Sequence, residues 1–204
     1  YVSYPVYGLI MTAWEMIGLS TIPIETAAGM VFGWPVGFYL SGFGKLAGAI
    51  LAFFVGRYGM LADWARQKLL KKNTFLQLIQ NSAYEHPFRV AMILRFSFFP
   101  ETIKNYGSAL LRPIQWWMFV LGVLIHGGAY TWLWTNLGDD AAARLVSDGT
   151  LPPDRILQVS LGIAVIFGFI ISPLALGYWI KTLKDDYDSD DSGATAVANT
   201  NMRN

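Results

Sequence analysis

Glu25, Arg57, Arg95, Glu101 and Lys104 are ionisable side chains set in apolar stretches of a 204-residue chain. At the centre of a lipid-embedded helix a charge costs at least ~2.5–3.5 kcal/mol, so a group kept there pairs or lines a water-filled path. Such a set suits holding and passing a charged group rather than making or breaking bonds. Arginine's planar donor fork fits a phosphate, so Arg95 is expected to engage one with help from Lys104. Glu25 is expected to pair with Arg95 when no ligand is present. Pro100 and Asn105 complete the set, Pro100 breaking the chain five residues beyond Arg95. For Arg57 and Lys104 the competing account is that a long side chain snorkels to the interface.

Enzyme signatures are missing. The chain has no cysteine, hence no disulfide framework, thiolate zinc site or thiol nucleophile. Gly42 to Gly48 matches neither a dinucleotide fingerprint nor a P-loop, and no G-x-S-x-G occurs. His86 precedes a proline and His126 stands alone, so no paired histidine offers a metal site. No catalytic residue, cofactor or metal is expected. Fifteen basic against fourteen acidic residues leave a net charge of +1, which argues against nucleic acid as a partner.

What must position these groups is a set of membrane helices. Hydrophobic residues make up 54% of the chain and charged ones only 14%, about half the share usual in a soluble domain. Ile156 to Ile180 and Pro113 to Leu137 are 25-residue runs with no Asp, Glu, Lys or Arg, each above the roughly 20 residues a span needs. Trp116 and Trp117 open the second run, and Trp132 and Trp134 close it, as an aromatic belt would. The stretch 24–58 carries Glu25, Lys45, Pro35 and many glycines; it reads as a re-entrant helix over 24–44 followed by a span. Phe88 to Leu111 reads as a second re-entrant hairpin with its tip near Pro100. Gly29, Gly33, Gly37, Gly44, Gly48 and Gly56 recur at near-helical steps and read as close helix packing in lipid.

Basic residues cluster in 57–89, at Arg112 and at Lys181 and Lys184, which places those regions and the C-terminus in the cytosol, with 138–155 outside. Two crossings then join Arg112 to Lys181 on one side, so 88–111 must return to its own side. The halves repeat in opposite orientation, each a re-entrant hairpin followed by a span, with Pro23-Ile24-Glu25-Thr26 echoed by Pro100-Glu101-Thr102. Inverted repeats with broken helices are a recurring transporter plan. The 60–82 loop reads as a surface helix with Leu61, Trp64, Ala65, Leu69, Leu76 and Ile79 on one side. Tyr1 in place of an initiator methionine leads to the expectation of a missing N-terminal segment.

Glu25-Thr-Ala-Ala-Gly29, Phe32-Gly33, Gly44-Lys45 through Gly48-Ala49 to Phe53, and Gly56-Arg57-Tyr58 resemble the first half of the VTT domain. Arg95-Phe96-Ser97, Pro100 and Asn105-Tyr106-Gly107 resemble its second half. The likeness is to the SNARE-associated Golgi protein/DedA superfamily, in its Golgi-type eukaryotic branch, and covers about residues 20–140. It implies two opposed re-entrant helices and a function like that of phospholipid scramblases or polyprenyl-phosphate flippases. The chain departs from the bacterial pattern at Ala49, where an intramembrane acid is expected, and lacks the second arginine of the arginine–proline motif, with Lys104 as a stand-in. Both departures weaken proton coupling.

The expected fold is therefore an all-α polytopic membrane protein. Residues 1–20 form an interfacial helix, 21–140 a VTT-like membrane domain, 141–180 an outer loop and the last transmembrane helix, and 181–204 a disordered acidic cytosolic tail. The expected partners are membrane phospholipids, with homo-oligomers and trafficking partners open, and the expected location is a Golgi or ER-type endomembrane. Three functions stand: a lipid scramblase or transporter, a non-transporting trafficking or structural protein, and a proton-coupled transporter.

Overall fold

The computed structural model describes residues 3–60, 62–72, 74–147, 151–152 and 154–185, except the side chains of 69–75. Its helices are α1 Ser3–Ile17, α2 Ile22–Phe32, α3 Trp34–Tyr58, α4 Ala62–Lys72, α5 Thr74–Glu85, α6 Pro87–Phe96, α7 over 101–110, α8 Trp116–Val146 and α9 Arg155–Asp185. The fold is all-helical over the described residues. Among them α3, α8 and α9 are long and apolar enough to cross a membrane, at 25, 31 and 31 residues. At ~1.5 Å per residue even the shortest reaches about 37 Å, more than the ~30 Å hydrocarbon core requires.

Three prolines start helices instead of interrupting them. Pro23, Pro35 and Pro87 occupy the first or second positions of α2, α3 and α6, where the missing N–H has no intrahelical partner to lose. The unit expected over 24–44 is thus corrected: one helix runs unbroken from Trp34 through residue 44 to Tyr58, and the break precedes it. That break lies at Gly33, whose φ of 76° glycine adopts without a Cβ penalty. Gly18, φ 82°, ends α1 in the same way. Asp154 caps α9, accepting from the backbone N–H groups of Ile156 and Leu157 at 2.8 and 3.3 Å.

Other boundaries move too. The helix read as ending at Leu137 continues to Val146, so Asp139, Asp140 and Arg144 lie on α8, with an Arg144–Asp140 pair at 2.7 Å one turn apart. The 60–82 segment is two helices. Its expected common side divides, since Trp64 is 58% exposed while Ile79 is buried; Leu61 and the side chain of Leu69 lie outside the described residues. The acidic tail from 186 onward also lies outside them.

Two helical hairpins and two long helices cross-pack. Tyr7, Met11 and Glu15 of α1 face Ser41, Gly44 and Gly48 of α3, so the two helices run in parallel. Phe88 stacks on Trp117, and Arg95 and Phe96 meet Gly122 and His126, so α6 runs parallel to α8. The return helices cross over: α2 packs on α8 and α7 on α3. Gly29 against Thr135, and Gly138 against Thr26, bring α2 and α8 so close that a Cβ at either glycine would strike a carbonyl. Gly37, Gly44, Gly48 and Gly56 likewise serve contacts with Ala28, Met11, Glu15 and Ala109. Gly33 does not; it belongs to the turn rather than to the packing set.

The ends of the bundle differ. Gly33 approaches Asp139 at one end. Arg57 reaches residues 109–114 at the other, where Phe88 meets Trp117. Both ends of the 88–111 segment thus lie at the Arg57 end. The apolar core sits in that half, with Phe53 stacked on Phe119 at 4.7 Å and Val90, Ile114, Leu176 and Trp179 buried around them.

Candidate functional site

The turns of the two hairpins meet inside the bundle. Thr102 donates its hydroxyl to the Gly18 carbonyl at 3.1 Å, and Tyr106 donates to that of Met16 at 2.7 Å. Between the turns lies a cavity of about 370 Å³, lined by both turns and by Lys45, Glu101, Lys104, His126 and the α9 segment around Gly168. Lys45 stands eleven residues into α3, or about 17 Å from its start. That is close to half the ~30 Å hydrocarbon thickness. π-helical turns at Ile103–Gly107, Val123–Gly127 and Phe167–Ile171 border the cavity; such turns mark functional sites more often than ordinary helix does.

Two ionic clusters flank it. In the first, Lys45 Nζ lies 2.7 Å from Glu25 Oε1, and Thr131 donates to the same oxygen at 2.8 Å. In the second, Arg95 Nη1 donates to Asn105 Oδ1 at 2.7 Å and lies 3.3 Å from Glu101 Oε2. Lys104 donates to Glu101 Oε1, also at 3.3 Å. Asn105 in turn donates to Glu15 Oε1 at 2.8 Å, and Glu15 is 4.0 Å from Arg95. Glu15, Glu25 and Asn105 are fully buried, and Lys45, Arg95 and Lys104 nearly so. Three carboxylates face three cations, the balance that burial of charge requires. Second oxygens of Glu15, Glu25 and Glu101, with Nε and Nη2 of Arg95, have no hydrogen-bond partner.

The expected Glu25–Arg95 pair is not formed. Lys45, on the next helix across the Gly33 turn, takes Glu25, while Arg95 is held within its own hairpin. Nor does Arg95 line the cavity: it lies behind Glu101, and Lys45 and Lys104 are the cations on the wall. Arg57 stands apart from all of these. It donates to the carbonyls of Ala109, Leu111, Arg112 and Ile114 at 2.7–3.2 Å and lies over the Phe53 ring. This satisfies carbonyls that the end of α7 leaves free. Pro100 sits in the turn and lines the cavity.

Three members of the site were absent from the candidate set. Glu15 stood alone in an apolar stretch, and its partner Asn105 is 90 residues away. Where the family resemblance expects an acid at Ala49, Glu15 packs over the neighbouring Gly48 and brings a carboxylate from another helix. Lys45 was visible as a cation inside an apolar run. His126, in edge contact with Phe96 at 5.2 Å, was legible only as a lone histidine.

A family model, that of the VTT domain, matches residues 20–140. No curated protein and no solved structure matches the chain.

Proposed function

The chain belongs to the VTT-domain family, that of the SNARE-associated and DedA proteins, and on that premise we propose that it is a phospholipid scramblase of an endomembrane. The observation that carries this reading is the cavity between the hairpin turns, with Lys104 and Lys45, the latter near the middle of α3, on its wall. A phosphate entering there replaces the Glu101 carboxylate on Lys104, exchanging one anion for another at little electrostatic cost. Acyl chains stay in the bilayer. Arg95 acts from behind: by holding Glu101 and Asn105 it positions the carboxylate that the phosphate displaces.

On this reading the hairpins α1–α2 and α6–α7 are re-entrant, each followed by a span, α3 or α8, in opposite orientation. Helix length supports it, because α2, α6 and α7 have only 10 or 11 residues, about 15–16 Å or half a bilayer. The first hairpin is then 3–32 with its turn at 18–21, rather than 24–44. Basic residues gathered at the Arg57 end support a cytosolic side for that end and for the C-terminus.

Transfer of headgroup-labelled fluorescent phospholipid in proteoliposomes tests the function. Movement faster than in protein-free vesicles is expected, and none above that background refutes it. Flux of protons without lipid movement would favour the proton-coupled reading instead. Topology has its own test, since the chain has no cysteine to remove. Cysteines placed at Phe88 and at Arg112, the exposed neighbour of buried Leu111, should label from the same side, and labelling from opposite sides removes the second re-entrant hairpin.

A further inference from the structure

Helix α9 is flanked by two apolar grooves in opposite halves of the molecule. Toward the Arg57 end a groove of about 760 Å³ runs between α6 and α9, past Met92, Ile93, Ala175 and Tyr178, with Arg89 at its rim. In the other half a groove of about 350 Å³ runs between α8 and α9, past Leu133, Ser160 and Ala164. From Ser160 to Thr182 the two cover about 33 Å along the helix, comparable with the ~30 Å hydrocarbon thickness. Phe96 and Phe167 are common to both grooves and to the central cavity. Their rings meet edge to face at 5.9 Å, so one aromatic pair separates all three spaces.

The partition stands where α9 is least regular. The π-helical turn Phe167–Ile171 precedes Pro173, which has no backbone N–H to donate to the carbonyl one turn before it; π turns and prolines are the usual places for a helix to bend. Ser172 Oγ, donating to the Phe96 carbonyl at 2.7 Å, ties α9 to the end of α6 at this level. Beyond it, Leu176 and Trp179 are buried in the core, and Ile180 and Leu183 pack against it. Arg89 is exposed and makes no ion pair among the described residues, which leaves its guanidinium for an anion at the rim.

We propose that the α9 grooves carry the acyl chains of a phospholipid in transit, and that the Phe96–Phe167 pair is the gate through which its headgroup enters the central cavity. This rests on the scramblase reading and adds its route. A lipid of the Arg57-end leaflet lays a chain in the α6–α9 groove with its phosphate at Arg89. Parting of the rings opens the groove to Lys104 and Lys45. The chains then follow α9 into the α8–α9 groove as the headgroup leaves. A phospholipid is the occupant because the grooves are apolar, lie on a spanning helix and join a cavity lined by cations, and the α6–α9 groove has at its rim a cation without an ion pair among the described residues.

The test fills each groove and reads both transfer and occupancy. Ala175→Trp and Ala164→Trp should each slow transfer of fluorescent phosphatidylcholine in proteoliposomes by about tenfold or more, while Leu174→Trp and Val165→Trp, on exposed positions beside them, stay within about twofold. Equal rates in the groove variants and the controls would overturn the proposal. Photo-crosslinking with a phosphatidylcholine bearing a diazirine on its acyl chain reads occupancy without transport. Adducts concentrated on Met92, Ile93 and Ala164, lost in the corresponding tryptophan variant, support the route. They would support it even if wild-type transfer failed to exceed protein-free vesicles, a result that removes the scramblase reading alone. Adducts spread evenly over Val165, Phe169 and Leu174, exposed positions outside both grooves, overturn the route even where transfer is fast.

Discussion

The two halves of the protein bring similar charges to the same cavity but hold them differently. In the first half, Glu25 takes Lys45 at 2.7 Å and a hydroxyl from Thr131 on the same oxygen. In the second, Glu101 is shared between Arg95 and Lys104 at 3.3 Å each. Charge-assisted hydrogen bonds are strongest near 2.7–2.9 Å, so the first cluster is a closed pair and the second a loose one. The first fastens α2 to α3 and α8 around the Gly33 turn. The second sits beside the turn of its own hairpin, and its lysine has an acceptor that another anion can replace. On the proposed function, how fully a cation's donors are taken up, rather than its depth, ranks Lys104 ahead of Lys45 as the contact for phosphate.

Lys45→Met should break the closed pair and have the largest effect. It leaves Glu25 buried with one hydroxyl partner, and stability should fall by about 3–5 kcal/mol. The double variant Lys45→Met/Glu25→Leu should recover most of that loss, because a buried pair replaced whole by apolar side chains costs little. Denaturant unfolding in detergent micelles checks both. Failure of the double variant to recover would mean that Lys45 serves the cavity more than the pair.

Arg57→Ala comes next. Its four backbone acceptors lose a charged donor, and stability should drop by about 2–4 kcal/mol. Transfer per folded molecule should nonetheless remain within about twofold of wild type, because Arg57 lies at the end of the bundle, away from the cavity. A selective loss of transfer in well-folded protein would move Arg57 into the site.

Arg95→Lys should have the smallest effect on stability, about 1 kcal/mol. The charge remains, while the fork that serves Asn105 and Glu101 together is lost. Its signature should be reduced transfer with a nearly unchanged unfolding midpoint.

Much of this arrangement was legible in the residues. The charge-free run at 156–180 and the tryptophans bounding 113–137 mark two of the long helices, because lipid imposes length and composition directly. Pro100, Arg95 and the parity of basic flanks mark the chain reversal within 88–111. The other reversal was misplaced for a physical reason. Glycine at 33 and proline at 35 are adjacent signals, and only backbone geometry tells a turn residue from a helix starter. The reversal at 18–21 was missed because Glu15 in an apolar stretch reads equally well as the polar edge of a surface helix. Partner choice was the least legible feature. Glu25 meets Lys45 because α2 and α3 fold back at Gly33, and Arg95 meets Glu101 because its own hairpin closes. No spacing in the sequence distinguishes these pairs from the Glu25–Arg95 pair that symmetry favoured.

Lys104 gives the most direct test of the central claim, that a lipid phosphate displaces Glu101 on the cavity wall. Initial rates of phospholipid transfer should be measured in proteoliposomes of wild type, Lys104→Gln and Lys104→Arg, each normalised to folded protein. The glutamine variant should be slower by about tenfold, as expected for loss of one charge-assisted contact. The arginine variant should keep most of the rate, since it also presents a cation to phosphate. A glutamine variant as fast as wild type would contradict the claim, leaving the cavity without its phosphate site.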